Sequence, residues 1–170
     1  MESFLMIKRW INMRKVTIMS YKRFVEYQPS DNKEDVVAIR IGDTPPIKDT
    51  ATKRYSEVLS LGFYDIAEFK EDIDRKTPIG SNRLTEKDKI IVDQFIDKNS
   101  DKSFVLHCEQ GISRSAAFGF YVLERLGYEE ELLELKQSGL YIPNIEVYGM
   151  LKGMPYSKNT ATALRNELKG

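Results

Sequence analysis

The stretch FVLHCEQGISRSAAFGFYVLERL, residues 104–126, changes character twice. Phe104–Leu106 is a short apolar run of the kind that forms a buried strand. Arg114–Leu126 carries Ala116, Ala117, Phe118, Phe120, Val122, Leu123 and Leu126, which leave a helix almost no polar face and predict a central, buried one. The only histidine and the only cysteine of the chain, His107 and Cys108, stand side by side between the two. The segment reads as strand, loop, helix, with the lone thiol where the loop begins.

A helix N-terminus presents N–H groups that have no partner within the helix, and its dipole adds partial positive charge. The amides of Glu109, Gln110, Gly111, Ile112, Ser113 and Arg114 can therefore converge into an anion cradle. Gly111 allows the positive φ that such a curl needs. Arg114 opens the helix with a planar, two-pronged donor suited to two phosphate oxygens. Cys108 sits at the bottom of the cradle, where the same field favours the thiolate. A thiolate facing a bound phosphate ester is a nucleophile aimed at phosphorus, and this phosphoryl transfer needs no metal.

Outward from this loop, strands and helices alternate. Lys15–Met19 and Val58–Leu61 read as strands, and Val36–Ile41 as a buried parallel one. Tyr21–Tyr27 looks helical, residues 30–34 and 42–49 are loops, and Thr52–Ser56 is a helical turn. Thr85 caps a helix whose apolar face is Ile91, Val92, Phe95 and Ile96. Glu129–Gln137 is a helix stopped by Gly139, with Glu129–Glu131 as a solvated start; Asn144 caps Ile145–Leu151, and a last helix runs from Asn159. Gly62–Arg83 lacks periodicity and is a long loop of the functional or mobile kind. Residues 1–14 form a leader, expected to be poorly ordered or packed on the outside, and 15–170 a single domain. The alternation predicts an α/β domain with a mostly parallel sheet of about four or five strands flanked by helices.

Composition narrows the function. Lys+Arg and Asp+Glu are each 26, so net charge supplies no argument for nucleic acid or a membrane surface, and any anion site must be local. One cysteine and one histidine cannot build a four-ligand zinc site or an internal disulfide. A lone reactive thiol belongs in a reducing compartment, and the longest apolar run of the first residues, Phe4–Ile7, is too short for a signal peptide or a span, so a cytoplasmic protein is expected.

HCEQGISRS, with five residues between Cys108 and Arg114 and Ser115 following, resembles the signature loop of the cysteine-dependent protein tyrosine and dual-specificity phosphatases. The order of elements from Val36 to Leu151, with Ile142-Pro143-Asn144 opening a late helix, resembles a compact dual-specificity-type domain. It is most similar to the small predicted tyrosine phosphatases of bacteria and their phages. The resemblance implies Cys108 as nucleophile, Arg114 as phosphate clamp, Ser115 as the hydroxyl that stabilises the departing thiolate, and His107 as a residue that orders the loop. It implies no cofactor, and a phosphorylated protein or peptide as partner.

The leaving oxide needs a proton, hence a general acid. In the family this is an aspartate on a loop after the preceding strand. Here Asp65 is the first aspartate after Val58–Leu61, with Asp72 and Asp74 as alternatives. Lys53-Arg54-Tyr55 invites comparison with the phosphotyrosine-recognition loop of larger relatives but reads as a charged helical turn, and Tyr141 and Tyr148 read as packing residues. The loop has no lysine of the sort lipid phosphatases carry, lacks the asparagine and Thr-Gly of the RNA-triphosphatase branch, and differs from sulfurtransferase loops. Phosphotyrosine hydrolysis, with phosphoserine or phosphothreonine in addition, is the leading expectation. A phosphate-binding pseudophosphatase and a phosphatase of a small metabolite or nucleotide stay open beside it.

Overall fold

The computed structural model describes residues 14–46, 48–65, 83–154 and 158–169. The expectations for residues 1–13, for most of the Gly62–Arg83 loop, and for Asp72 and Asp74 lie outside the described residues. Four strands, β1 (Val16–Ser20), β2 (Val36–Gly42), β3 (Val58–Gly62) and β4 (Ser103–Cys108), form one sheet in the order β1-β4-β2-β3. Every pairing is parallel, so all four C-terminal ends share one edge. Ser20 lies opposite Cys108, His107 opposite Arg40, and Gly42 opposite Gly62. An α/β domain with a parallel sheet was the expectation, and the described residues supply four strands of it.

Side chains alternate across the sheet. Val37, Ile39 and Ile41 of β2 and Phe104, Leu106 and Cys108 of β4 enter the larger core. There they meet α3 (Arg114–Leu126), α5 (Ile145–Leu151) and α2 (Glu86–Lys98). Val36, Ala38 and Val105 face the smaller core, closed by Phe24 of α1 (Tyr21–Glu26) and by Ala51 and Tyr55. Period-two alternation thus sends Cys108 and His107 to opposite faces of the sheet, although they are neighbours in sequence. The helix α3 is buried from Arg114 through Leu123, as its composition requires. Each fully buried Phe or Leu there contributes about 1.5–3 kcal/mol of transfer free energy.

Local signals explain the ends of the helices. Thr85 and Asp88 form a reciprocal capping box on α2. Asn144 accepts from the Val147 amide at the start of α5. The helix α4 (Glu129–Gln137) ends at Ser138, and Gly139 follows at φ +70. A last helix, α6, spans Lys158–Leu168. Three details differ from expectation. Residues 33–35 form a 3-10 turn that overlaps the end of the loop placed at 30–34, and the turn expected at Thr52–Ser56 runs over Thr50–Arg54. Glu131 is no solvated acid: its carboxylate accepts from the amides of Lys15 (2.8 Å) and Val16 (3.1 Å). A strand at a sheet edge has spare N–H groups at its entry, and Glu131 supplies their partner.

Candidate active site

The loop from Glu109 to Ser113 crosses the C-terminal edge of the sheet between β4 and α3. Its carbonyls are held by neighbouring segments: Glu109 O accepts from Tyr21 N (3.2 Å), Ile112 O from Ile142 N (3.0 Å), and Ser113 O from Asn144 N (3.1 Å). In a planar trans peptide the N–H opposes the carbonyl, so fixing three carbonyls outward turns the amides of Gln110, Ser113 and Arg114 the other way. Gly111 has φ +75, and a Cβ there would stand 2.4 Å from the Met19 carbonyl carbon. Any other residue would strain the turn and push the loop off the end of β1.

Cys108 is 3% exposed. Its Sγ lies 3.1 Å from Ser115 Oγ and accepts from the Gly111 amide at 3.3 Å. Burial pushes the thiol up, but the Ser115 hydroxyl, the Ser115 and Gly111 amides and the Arg114 charge together hold it below its ordinary value. The thiolate is favoured because several donors converge on one sulfur.

Arg114 is 5% exposed. Its Nη1 donates to Asp43 Oδ1 and to the Phe63 carbonyl, both at 2.8 Å. Its Nε is buried with no hydrogen-bond partner. An unsatisfied buried guanidinium N–H costs about 1–3 kcal/mol, which an oxyanion on that edge of the fork would recover. Asp43, one residue past β2, was missed in the sequence. The signal was an acid directly beyond a strand end in an all-parallel sheet, where ligand-facing residues gather. Close packing fixes this corner, since a Cβ on Gly62 would stand 2.4 Å from Pro45 Cδ. We expect Arg114→Lys to lower kcat for p-nitrophenyl phosphate about a hundred- to a thousandfold, nearly as much as Arg114→Ala, because a point charge cannot present a fork. A lysine variant with near-normal rate would reduce the arginine to a counter-charge.

Asp65 reaches the same loop. Its Oδ1 accepts from Ser113 Oγ at 2.8 Å and from Asn144 Nδ2 at 2.7 Å. Asn144 is fixed at both ends, because its Oδ1 caps α5 while its amide donates to the carboxylate. The structure thus gathers Cys108, Arg114, Ser115 and Asp65 at one edge.

His107 lies on the opposite face of the sheet. Arg40 Nε donates to its Nε2 at 3.0 Å, so the ring proton sits on Nδ1, which donates to the Cys108 carbonyl at 3.3 Å. Arg40, only 1% exposed, grips Asp49 through two N–H···O contacts of 3.2 and 3.1 Å and lies over the Phe24 ring. Burial drives the imidazole down to about 4, with the Arg40 charge adding to the effect. Between pH 6.5 and 4 the unfolded chain then binds a proton that the folded chain refuses. Stability should fall by roughly 3 kcal/mol as pH drops through that window. The chain has a single histidine, so one imidazole resonance reports it in an NMR titration; a midpoint near 6.5 would contradict this reading.

Elsewhere the expectations are structural. Tyr55 is buried and stacks on Phe24 at 5.3 Å, while Arg54 donates to the carbonyls of Val25 and Tyr27. Tyr141 packs edge-on against Phe120, and Tyr148 is buried with its hydroxyl donating to Glu124. No described helix is long and apolar enough to cross a membrane.

No family model matches the chain, and no curated protein matches its sequence. Solved structures match its fold. Human DUSP28 superposes with a TM-score of 0.50 at 15% identity, covering 91% of this chain and 96% of that one. A human tyrosine phosphatase-like serine/threonine/tyrosine-interacting protein gives 0.45 at 20% identity over 83% of this chain and 91% of its own. DUSP15 gives 0.45 at 15% identity over 93% and 92%. The first of these carries the conclusion on fold: the domain has the architecture of the dual-specificity phosphatases.

Proposed function

We propose that this domain is a metal-independent protein phosphatase that hydrolyses phosphotyrosine, with phosphoserine and phosphothreonine as further substrates. The observation that carries the reading is the convergence of the Ser115 hydroxyl, the Gly111 amide and the Arg114 charge on the buried Cys108 sulfur, at the start of a loop whose amides turn inward. On this reading the Cys108 thiolate attacks phosphorus in line and the P–O bond to the leaving group breaks. Asp65 gives its proton to the departing oxygen. Water then attacks the cysteinyl phosphate, Asp65 takes a proton from it, and the S–P bond breaks with Ser115 Oγ–H donating to the sulfur. Arg114 and the loop amides hold the equatorial oxygens, where charge accumulates in the transition state.

His107 takes no proton in this scheme; it fixes the Cys108 carbonyl. The phosphate-binding residues are Glu109 to Arg114, through their backbones, with the Arg114 fork added. The HCEQGISRS loop supports kinship with the small tyrosine phosphatases of bacteria and phages. A domain spanning 15–170 and a reducing, cytoplasmic setting complete the proposal.

The direct test is rapid acid quench of the full chain turning over a phosphotyrosine peptide in EDTA, followed by mass spectrometry of the Cys108 peptide. A phosphate adduct on Cys108 is expected. Turnover should persist in EDTA and stop on vanadate or mild peroxide, since a low-pKa thiolate is the first rung of the oxidation ladder and no second cysteine exists to rescue it. Activity that requires added metal, or no adduct during steady turnover, would overturn the reading.

A further inference from the structure

The segment between α4 and α5 exposes two large aliphatic side chains beside the phosphate cradle. Leu140 is 68% and Ile142 76% exposed, while Tyr141 between them turns inward onto Phe120. Alternation along residues 140–142 accounts for this: 140 and 142 point out because Tyr141 between them is anchored inside. The outward placement is built in, since Ile142 N and Asn144 N both bond loop carbonyls of the cradle. Ile112 of the cradle is itself 39% exposed, and Tyr64, next to Asp65, 45%. Other exposed large apolar residues stand on helices, such as Ile90 and Ile91 on α2 and Leu133 on α4. Scattered exposure of that kind is ordinary, but a contiguous apolar rim at a binding site marks contact with a ligand.

Charge narrows the occupant. Asp43 is paired with Arg114, the exposed Glu109 shares the mouth with the exposed Lys48, and Asp65 carries the proton for the leaving group, so the rim has no net field that would favour a charged flank. An aliphatic flank on an incoming peptide would cover Ile142 and Leu140.

We infer that Leu140, Ile142 and Ile112 form a docking rim for the aliphatic residues that flank the phosphorylated residue of a peptide substrate, making the site selective for apolar sequence context. The inference rests on the phosphatase reading for the identity of the anchor, and on the rim for the selectivity. Burying one leucine side chain on such a surface is worth about tenfold in affinity.

The test compares phosphotyrosine peptides that differ only in their flanking residues, which are leucine, serine or aspartate. The full chain is set beside a Leu140→Ser variant, with p-nitrophenyl phosphate as a substrate that has no flanks. We expect the leucine peptide to exceed both the serine and the aspartate peptide about tenfold in kcat/KM, through KM. The Leu140→Ser variant should cut that preference to about threefold or less while p-nitrophenyl phosphate turnover stays unchanged. Equal leucine and serine rates in the wild type, or a leucine preference undiminished in the variant, would overturn the rim. Absence of any turnover would instead remove the phosphatase reading. The same peptides are then ranked by fluorescence-anisotropy binding, where a leucine preference reduced in the variant supports the rim and equal affinities refute it.

Discussion

A Cys108→Ser variant is expected to show no measurable turnover of p-nitrophenyl phosphate or phosphotyrosine while still binding inorganic phosphate and phosphopeptides. A serine hydroxyl is similar in size to the thiol and accepts the same contacts from Ser115 and the Gly111 amide. The cradle should therefore survive, because its shape depends on bonds made by Tyr21, Ile142 and Asn144 rather than on the sulfur. Reactivity should not survive. The environment lowers the thiol of Cys108 below its ordinary value, but a hydroxyl starts so much higher that the same donors leave it protonated. Phosphate affinity by calorimetry and initial rates on one preparation separate the two effects. Residual activity above about one per cent would mean that another group attacks phosphorus. Loss of binding together with rate would make Cys108 a structural thiol.

The local devices of this fold were legible in the sequence because they are short-range. The strand at Phe104, the buried helix from Arg114, the Thr85 and Asn144 caps and the glycine in the loop each depend on residues within a few positions. The strand order was not legible, since placing β1 beside β4 depends on pairings between residues some ninety positions apart, such as Val16 with Phe104. The same limit hid the second face of the site. Arg40 reads as an interruption in an apolar strand until the register puts it opposite His107 and within reach of Asp49. Asn144 was visible as a cap through its Oδ1, but its other end, which donates to Asp65, required a contact across 79 positions. Glu131 was an acid with nothing nearby in sequence to mark it, and Asp43 was marked only by standing one residue past a strand end. In each case the missing information was which backbone or side chain would lie within hydrogen-bond reach.

The Asp65 carboxylate carries the second large effect. An Asp65→Asn variant is expected to hydrolyse phosphotyrosine roughly a hundred- to ten-thousandfold more slowly, the range a positioned general acid supplies. The substitution suits the test because the asparagine carbonyl can still accept from Ser113 Oγ and Asn144 Nδ2, which both bond the single oxygen Oδ1. Only the proton at the other oxygen is removed, so a structural contribution of Asp65 is largely preserved. The loss should depend on the leaving group. Tyrosine departs as an oxide whose conjugate acid has a pKa near 10 and needs the proton most. A nitrophenolate departs more readily, so its loss should be smaller. The decline of the rate on the basic side of the pH profile should also flatten, since no proton remains there to be lost. Asp72→Asn and Asp74→Asn should each cost less than about tenfold, because a general acid must lie within hydrogen-bond reach of the leaving oxygen and Asp65 already occupies the cradle's rim. A large loss in either of those variants would move the acid along the loop while leaving Cys108 and Arg114 in place. A phosphotyrosine rate within tenfold of wild type in Asp65→Asn, with the basic limb intact, would remove Asp65 from catalysis and leave its two hydrogen bonds as a structural tie between the loop and α5.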